Sequence, residues 1–240
     1  MGVTINCDMG EGFGLYQCGD DAGLMPHVDI ANVACGFHAS DPSVMRSTVR
    51  LAAEHGVAVG AHPSFPDRQG FGRREMAMER DELAACLIYQ IGALRGFLDE
   101  AGLALNHIKP HGALYGAAMR HEHVAHAIAD AAAVFGVPLL GMRGTLQERV
   151  YTERGVTFLA EYYADLDYDG EGRLIITRKH DARDPEEAAR RVTRMLREHK
   201  ATTVDGTSID MRAETVCVHS DTPGAVELAR AVQQSVREFS

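Results

Sequence analysis

The chain has 240 residues and a formal net charge of −10, and only three of its 24 basic residues are lysines. Binding to the phosphate backbone of a nucleic acid depends on a clustered basic surface, so this charge balance argues against that class. No apolar run approaches the ~20 residues that cross a bilayer. The first 30 residues lack the basic start and apolar run of a signal peptide. We therefore expect a cytoplasmic protein that contacts neither nucleic acid nor membrane.

Short β-rich runs alternate with longer helical patterns almost to the end of the chain. Strands are predicted at 3–8, 29–35, 57–62, 105–109, 138–142, 157–161 and 215–219. Helices are predicted near 42–55, 80–101, 121–135, 145–154, 185–198 and 224–238. Two stretches, 165–178 and 202–212, contain Asp-Gly turns and are predicted as β-hairpin insertions.

Repeated βα units indicate a parallel sheet, which can be an open doubly wound sheet or a closed barrel. Neither the dinucleotide fingerprint G-x-G-x-x-G nor the P-loop G-x-x-x-x-G-K-[ST] occurs, so the open nucleotide-binding folds lose their main support. The length fits a single barrel of about 200–250 residues. We predict an α/β fold with one domain over 1–240, a (β/α) barrel of about seven parallel strands.

The five cysteines do not indicate a disulfide framework, because their number is odd and no C-x-x-C pair occurs. Cys7, Cys35 and Cys217 fall in predicted strands, where cysteine usually packs as a small apolar residue. Cys35, close to a strand end, also stays open as a nucleophile.

Titratable groups occur at or just after the ends of six predicted strands, where βα barrels carry their chemistry. Each residue alone has an ordinary explanation, such as a core histidine or a buried salt bridge, but their coincidence favours a functional site. The candidate catalytic residues are Asp8, Glu11, His62, Lys109 and His111. The candidate substrate-binding residues are Asn6, His38, Glu161, His219 and Asp221.

These residue types suit attack on a carbonyl or amide. Asp8 or Glu11 can serve as general base toward water if burial and neighbours tune the pKa. Lys109 lies in a strand that should be buried, and beside a carboxylate it can stabilise a developing oxyanion. A salt bridge to Asp8 or Glu161 inside the barrel explains this lysine equally well.

The histidines allow two kinds of chemistry. His62 and His111 are suited to passing a proton to a leaving nitrogen. Asp8, His38 and His62 also have the ligand types for Zn²⁺ or another divalent ion. No motif such as H-E-x-x-H supports a metal, so a divalent cation remains an open alternative and no residue is assigned as a ligand.

Five segments resemble the LamB/YcsF family, and they extend from residue 5 to residue 225. The segments are INCDMGEGFG (5–14), ANVACGFHA (31–39), GAHPSFPDRQGFGR (60–73), KPHGALY (109–115) and VCVHSDTPGA (216–225). They are long and ordered, so the resemblance is specific and covers essentially the whole chain.

The resemblance implies a seven-stranded barrel related to polysaccharide deacetylase-type barrels. It also implies the role of the A component of an ATP-dependent 5-oxoprolinase, which opens the lactam of 5-oxoproline to glutamate together with subunits B and C. ATP is then a cofactor of the complex, in keeping with the missing P-loop. Two alternatives stay open: a stand-alone metal-dependent deacetylase or amidohydrolase, and a non-catalytic ligand-binding subunit.

Two positions depart from the family pattern. Leu166 stands where the family usually has Arg in Glu-x-Phe-Ala-Asp-Arg, and an Arg there would suit a carboxylate or phosphate. Ser220 stands where Gly is usual in His-Gly-Asp-Thr-Pro. Because serine carries a Cβ, we expect no left-handed backbone at Ser220.

Overall fold

The computed structural model describes residues 2–177 and 181–239. In this part of the chain seven parallel strands close into a barrel, in the order β1 (Thr4–Met9), β2 (Ile30–Ala34), β3 (Ala58–His62), β4 (Leu105–Ile108), β5 (Leu139–Gly141), β6 (Phe158–Tyr163) and β9 (Thr215–His219). The last strand pairs with both β6 and β1, which closes the sheet. The predicted seven-stranded barrel is confirmed.

Eight α-helices occur in the described residues: α1 (Asp21–Leu24), α2 (Pro42–His55), α3 (Arg80–Ala101), α4 (Gly112–Arg120), α5 (Glu122–Phe135), α6 (Leu146–Glu153), α7 (Pro185–Glu198) and α8 (Ala225–Arg237). Every fourth or third residue of α3 from Leu83 to Leu98 is buried, which gives this long helix one apolar face toward the core. In the same part of the chain no helix has both the length and the apolar character needed to cross a membrane.

The prediction omitted α1 and α4. Helix α4 follows Lys109-Pro110-His111-Gly112, and proline and glycine in such a run usually indicate a loop. The structure instead begins the helix at Gly112, which has a positive φ of 49°. With nine residues, α4 is too short for the spacing of its apolar residues to predict a helix, although Leu114 and Tyr115 are buried.

The two predicted insertions differ from each other. Strands β7 (Lys200–Thr202) and β8 (Ser208–Asp210) form an antiparallel hairpin, as expected. The stretch from 165 has one antiparallel bridge among its described residues, between Tyr168 and Leu174, with backbone hydrogen bonds from Asp169 N to Arg173 O and from Ile175 N to Asp167 O. In the described part, its hairpin is therefore shorter than predicted and contains no regular strands. Its predicted last residue, Arg178, lies outside the described residues.

Candidate active site at the carboxyl ends of the strands

A buried ion pair lies at the centre of the site. Alternation along β1 turns Asn6 and Asp8 into the barrel, and Lys109 follows directly after β4. Lys109 Nζ lies 2.9 Å from Asp8 Oδ1 and 3.2 Å from Glu161 Oε1. Asn32 Nδ2 also donates to Asp8 Oδ1, at 2.8 Å. The salt bridges considered for Lys109 are therefore both present.

This pair is charged despite its burial. Burial by itself would raise the pKa of Asp8, but His62 and then Lys109 outweigh it and hold that pKa well below its usual value. Burial would likewise lower the pKa of Lys109, while Asp8, Cys217 and Glu161 raise it well above its usual value. Charge compensation therefore keeps an ammonium and a carboxylate side by side in the barrel.

A second buried group consists of three imidazoles and one carboxylate: Glu11, His38, His62 and His111. His38 Nε2 lies 3.0 Å from Glu11 Oε1, and His111 Nδ1 lies 2.9 Å from His62 Nε2. Burial lowers the pKa of both His38 and His111 well below the usual value. Burial, and next the nearby Asp8, raise the pKa of Glu11. These four residues could hold a metal ion. The ligand set considered from sequence was Asp8, His38 and His62, so the structure replaces Asp8 by Glu11 and His111.

His219 belongs to a third contact network, at the end of β9. Its Nδ1 donates to Asp165 Oδ1 at 3.0 Å, and its Nε2 lies 3.7 Å from Asp8 Oδ2. Burial opposes protonation, but Asp165 outweighs it and raises the pKa of His219 well above the usual value. This histidine is therefore an imidazolium near neutral pH, directly beside the Asp8–Lys109 pair.

A pocket of about 380 Å³, its open mouth included, lies at this end of the barrel. The turn after β6 supplies an apolar wall through Leu166, Leu174 and Ile176. The remaining lining residues are Asp8, His62, Arg73, Lys109, Pro110, His111, Gly112, Tyr115, Tyr163 and His219. Charged and apolar surfaces therefore face each other across the mouth of this pocket.

Arg73 lines the pocket although the candidate set omitted it. Its Nη2 donates to Asp221 Oδ2 at 2.7 Å, which accounts for the position of Asp221. The loop that carries Arg73 lies close to His111 because Gly72 has a φ of 62° and no side chain; a Cβ there would lie 2.7 Å from His111 Cδ2. The sequence signal was available, since residue 73 ends one of the segments that carry the family resemblance.

All ten candidate residues are in this assembly, but at different depths. Asp8, His62, Lys109, His111 and His219 line the pocket. Asn6, Glu11, His38 and Glu161 lie buried behind them, and Asp221 lies beside the pocket, paired with Arg73. Asp165, Tyr115 and Tyr163 were not predicted, although each lies in or beside a segment compared with the family.

Two further predictions concern Cys35 and Ser220, and the residues after Ser220 lead into α8. The Cys35 thiol is buried, donates to Val33 O and has a pKa raised to about 12 by burial, so it stays protonated and is a poor nucleophile. Ser220 has no positive φ, as expected. The Thr222 hydroxyl donates to Asp165 Oδ2 at 3.3 Å, and α8 begins only at Ala225.

Comparison with known proteins identifies the family. The model of the LamB/YcsF family matches residues 3–240. A 5-oxoprolinase A component of Pseudomonas aeruginosa is 48% identical over 96% of this chain and 93% of its own. The lactam utilization protein lamB of Emericella nidulans is 46% identical over 99% of this chain and 95% of its own. The crystal structure of a lactam utilization protein from Thermus thermophilus superposes with a TM-score of 0.90 and 44% identity, over 99% of this chain and 97% of that one. The protein belongs to the LamB/YcsF family.

Proposed function

We propose that the protein is the A component of an ATP-dependent 5-oxoprolinase, which opens the lactam of 5-oxo-L-proline to L-glutamate together with subunits B and C. The names of full-length relatives at 46–48% identity support this assignment. The observation that carries a catalytic role is the buried Asp8–Lys109 pair, because both residues line the pocket. A stable five-membered lactam resists hydrolysis, which gives ATP its role in the complex.

The pocket provides the groups that opening of an amide ring requires. Water attacks the lactam carbonyl carbon, the carbonyl oxygen becomes an oxyanion, and the ring C–N bond then breaks. The Lys109 ammonium stabilises the oxyanion, which weakens its contact with Asp8, a contact that lowers the pKa of that carboxyl in the resting site. The ionised Asp8 carboxylate then accepts the proton of the attacking water. His219, held as an imidazolium by Asp165, gives a proton to the leaving nitrogen. One proton is therefore taken from water and one is given to the leaving amine, so the total number of protons on the protein is unchanged.

The substrate also carries a carboxylate, which needs a positive partner. Leu166 lines the pocket where the family usually has an arginine. Arg73 lines the same pocket, and Asp221 holds its guanidinium in place. A guanidinium matches a carboxylate with two parallel hydrogen bonds. Arg73 is therefore the residue that binds the carboxylate of 5-oxoproline in this proposal.

Reconstitution tests the assignment. The full chain, mixed with subunits B and C, should release glutamate from 5-oxoproline only when ATP is present. Asp8→Asn should lower the rate by about 100-fold or more without loss of folding, as expected for removal of a catalytic base. A folded mixture that releases no glutamate would exclude the assignment.

The buried Glu11–histidine group supports a second candidate, the stand-alone metal-dependent deacetylase or amidohydrolase. That enzyme would be active without ATP or partners and would lose activity to a chelator. A non-catalytic binding subunit would instead leave turnover of the complex unchanged by Asp8→Asn. The same preparations therefore separate the three functions.

A further inference from the structure

The hydrogen bonds of His62 and His111 determine which ring nitrogens carry protons. His62 Nδ1 lies 2.7 Å from the carbonyl oxygen of Lys109, and His111 Nε2 lies 2.8 Å from that of Phe71. A carbonyl oxygen can only accept, so both of these nitrogens must donate. In a neutral imidazole the other nitrogen then has a lone pair and no hydrogen.

These two remaining nitrogens face each other. His62 Nε2 and His111 Nδ1 are 2.9 Å apart. Glu11 Oε1 approaches the same place, 3.4 Å from His111 Nδ1, and Asp8 Oδ2 lies 3.2 Å from His62 Nε2. With both rings neutral, one proton between them satisfies one pair of acceptors, whereas four acceptor atoms converge here. Since all four residues are at most 4% exposed, bulk water does not compensate for their repulsion.

We propose that a divalent transition-metal ion binds between His62 Nε2, His111 Nδ1 and Glu11 Oε1. Two imidazoles and one carboxylate form a donor set that suits Zn²⁺ and related ions, with a fourth position left for water. Bond lengths of about 2.0–2.1 Å in a tetrahedron place ligand atoms about 3.3 Å apart. The 2.9 Å and 3.4 Å separations lie on either side of that value.

His38 has a different part in the site. Its ring stacks on that of His111, with centroids 3.8 Å apart and planes 6° from parallel. Lone pairs in parallel, stacked rings do not converge on one ion. His38 Nε2 instead lies 3.0 Å from Glu11 Oε1, where it can donate and orient the carboxylate. A ligand held by such an outer partner is typical of metal sites. His38 is therefore a positioning residue.

The ion would be reachable from the pocket, because His62 and His111 both line it. This inference goes beyond the proposed function and does not depend on it, since it follows from the contacts of this chain alone. Metal uptake needs neither ATP nor partner subunits, so its failure and the failure of 5-oxoprolinase activity are separate results.

Cobalt provides a direct test. The full chain is treated with a chelator, dialysed and titrated with Co²⁺, while the visible d–d absorption is recorded. We expect saturation at one Co²⁺ per chain and displacement by Zn²⁺. His62→Gln and His111→Gln should each weaken binding by more than about 100-fold, and His38→Gln by about 10–100-fold, the range typical of outer partners. His55→Gln removes an exposed imidazole on α2 and should bind as the original chain does.

Two outcomes would overturn the proposal. One is the absence of saturable binding by the original chain. The other is unchanged affinity in folded His62→Gln and His111→Gln. If these variants do not fold, the unmodified protein labelled with ¹⁵N-histidine is measured by NMR instead. Metal binding at this site requires that added Zn²⁺ shift the Nε2 resonance of His62 and the Nδ1 resonance of His111. Unshifted resonances would mean that a shared proton, not a metal ion, joins the two rings.

Discussion

Gly60 and His107 contact each other inside the barrel so closely that position 60 has no room for a side chain. A Cβ on Gly60 would lie 2.2 Å from both Cε1 and Nε2 of the His107 ring. The ring cannot turn away freely, because its Nε2 donates to Asn32 Oδ1 at 2.6 Å. Asn32 in turn donates to Asp8, so the glycine supports the position of the Asp8–Lys109 pair.

Gly60→Ala should therefore destabilise the protein. Overpacking in a rigid core costs about 1–3 kcal/mol, and we expect at least that loss in the free energy of unfolding. Gly96→Ala is the matched control, since Gly96 lies on α3 with nothing within 4 Å of its added Cβ. It should be neutral or stabilising by about 0.5–1 kcal/mol. Urea unfolding measures both, and equal effects at the two positions would contradict the steric argument.

Lys109→Met should cost far more stability than loss of an exposed lysine. It removes the ammonium from two carboxylates, Asp8 and Glu161, that stay buried, and breaking a buried pair costs about 3–5 kcal/mol. Lys200→Met, which breaks the exposed pair with Asp210, should cost less than about 1 kcal/mol. Denaturant unfolding of both variants tests the difference.

Removing both charges should restore part of the stability lost in Lys109→Met. The double variant Asp8→Asn with Lys109→Met has one buried carboxylate fewer than the single variant. A double-mutant cycle should therefore show strong coupling. Additive losses would mean that the two groups do not compensate each other.

The His219–Asp165 pair should make stability depend on pH. His219 faces Asp165, Asp8 and Cys217, and its folded pKa is above the unfolded value of about 6.5. A raised folded pKa gives stability that is fully present below about pH 6.5 and is lost as the pH rises through the folded pKa. His219→Gln should thus destabilise most at about pH 6 and progressively less toward alkaline pH. Unfolding curves across that range check this, and a destabilisation that grows with pH would contradict it.

Arg73→Gln should act on substrate binding more than on folding. If Arg73 binds the substrate carboxylate, its loss should raise KM in the reconstituted complex by about 10–100-fold or more, because a charge-assisted pair contributes about 1.5–3 kcal/mol. Arg68→Gln, which removes a neighbouring guanidinium that packs over Phe13, is the control. A fall in kcat with unchanged KM would instead assign Arg73 to the chemical step.

The barrel and the inward set of polar residues could be predicted from sequence because both depend on local periodicity. Alternation along β1 places Asn6 and Asp8 on one face, and the apolar stripe of α3 indicates its buried side. Helix α4 and the single bridge at Tyr168 could not be predicted, since short elements depend on tertiary packing.

Sequence alone determined which residues this protein brings to the ends of its strands and which family it resembles. Only the tertiary structure decided how they combine. Closure through β9 places His219 in register beside Asp8, and the loop between β3 and α3 brings Arg73 to the pocket. The carbonyl oxygens of Lys109 and Phe71 determine the tautomers of His62 and His111. These contacts join residues far apart in the chain, so their geometry follows from strand register and loop packing rather than from any local pattern.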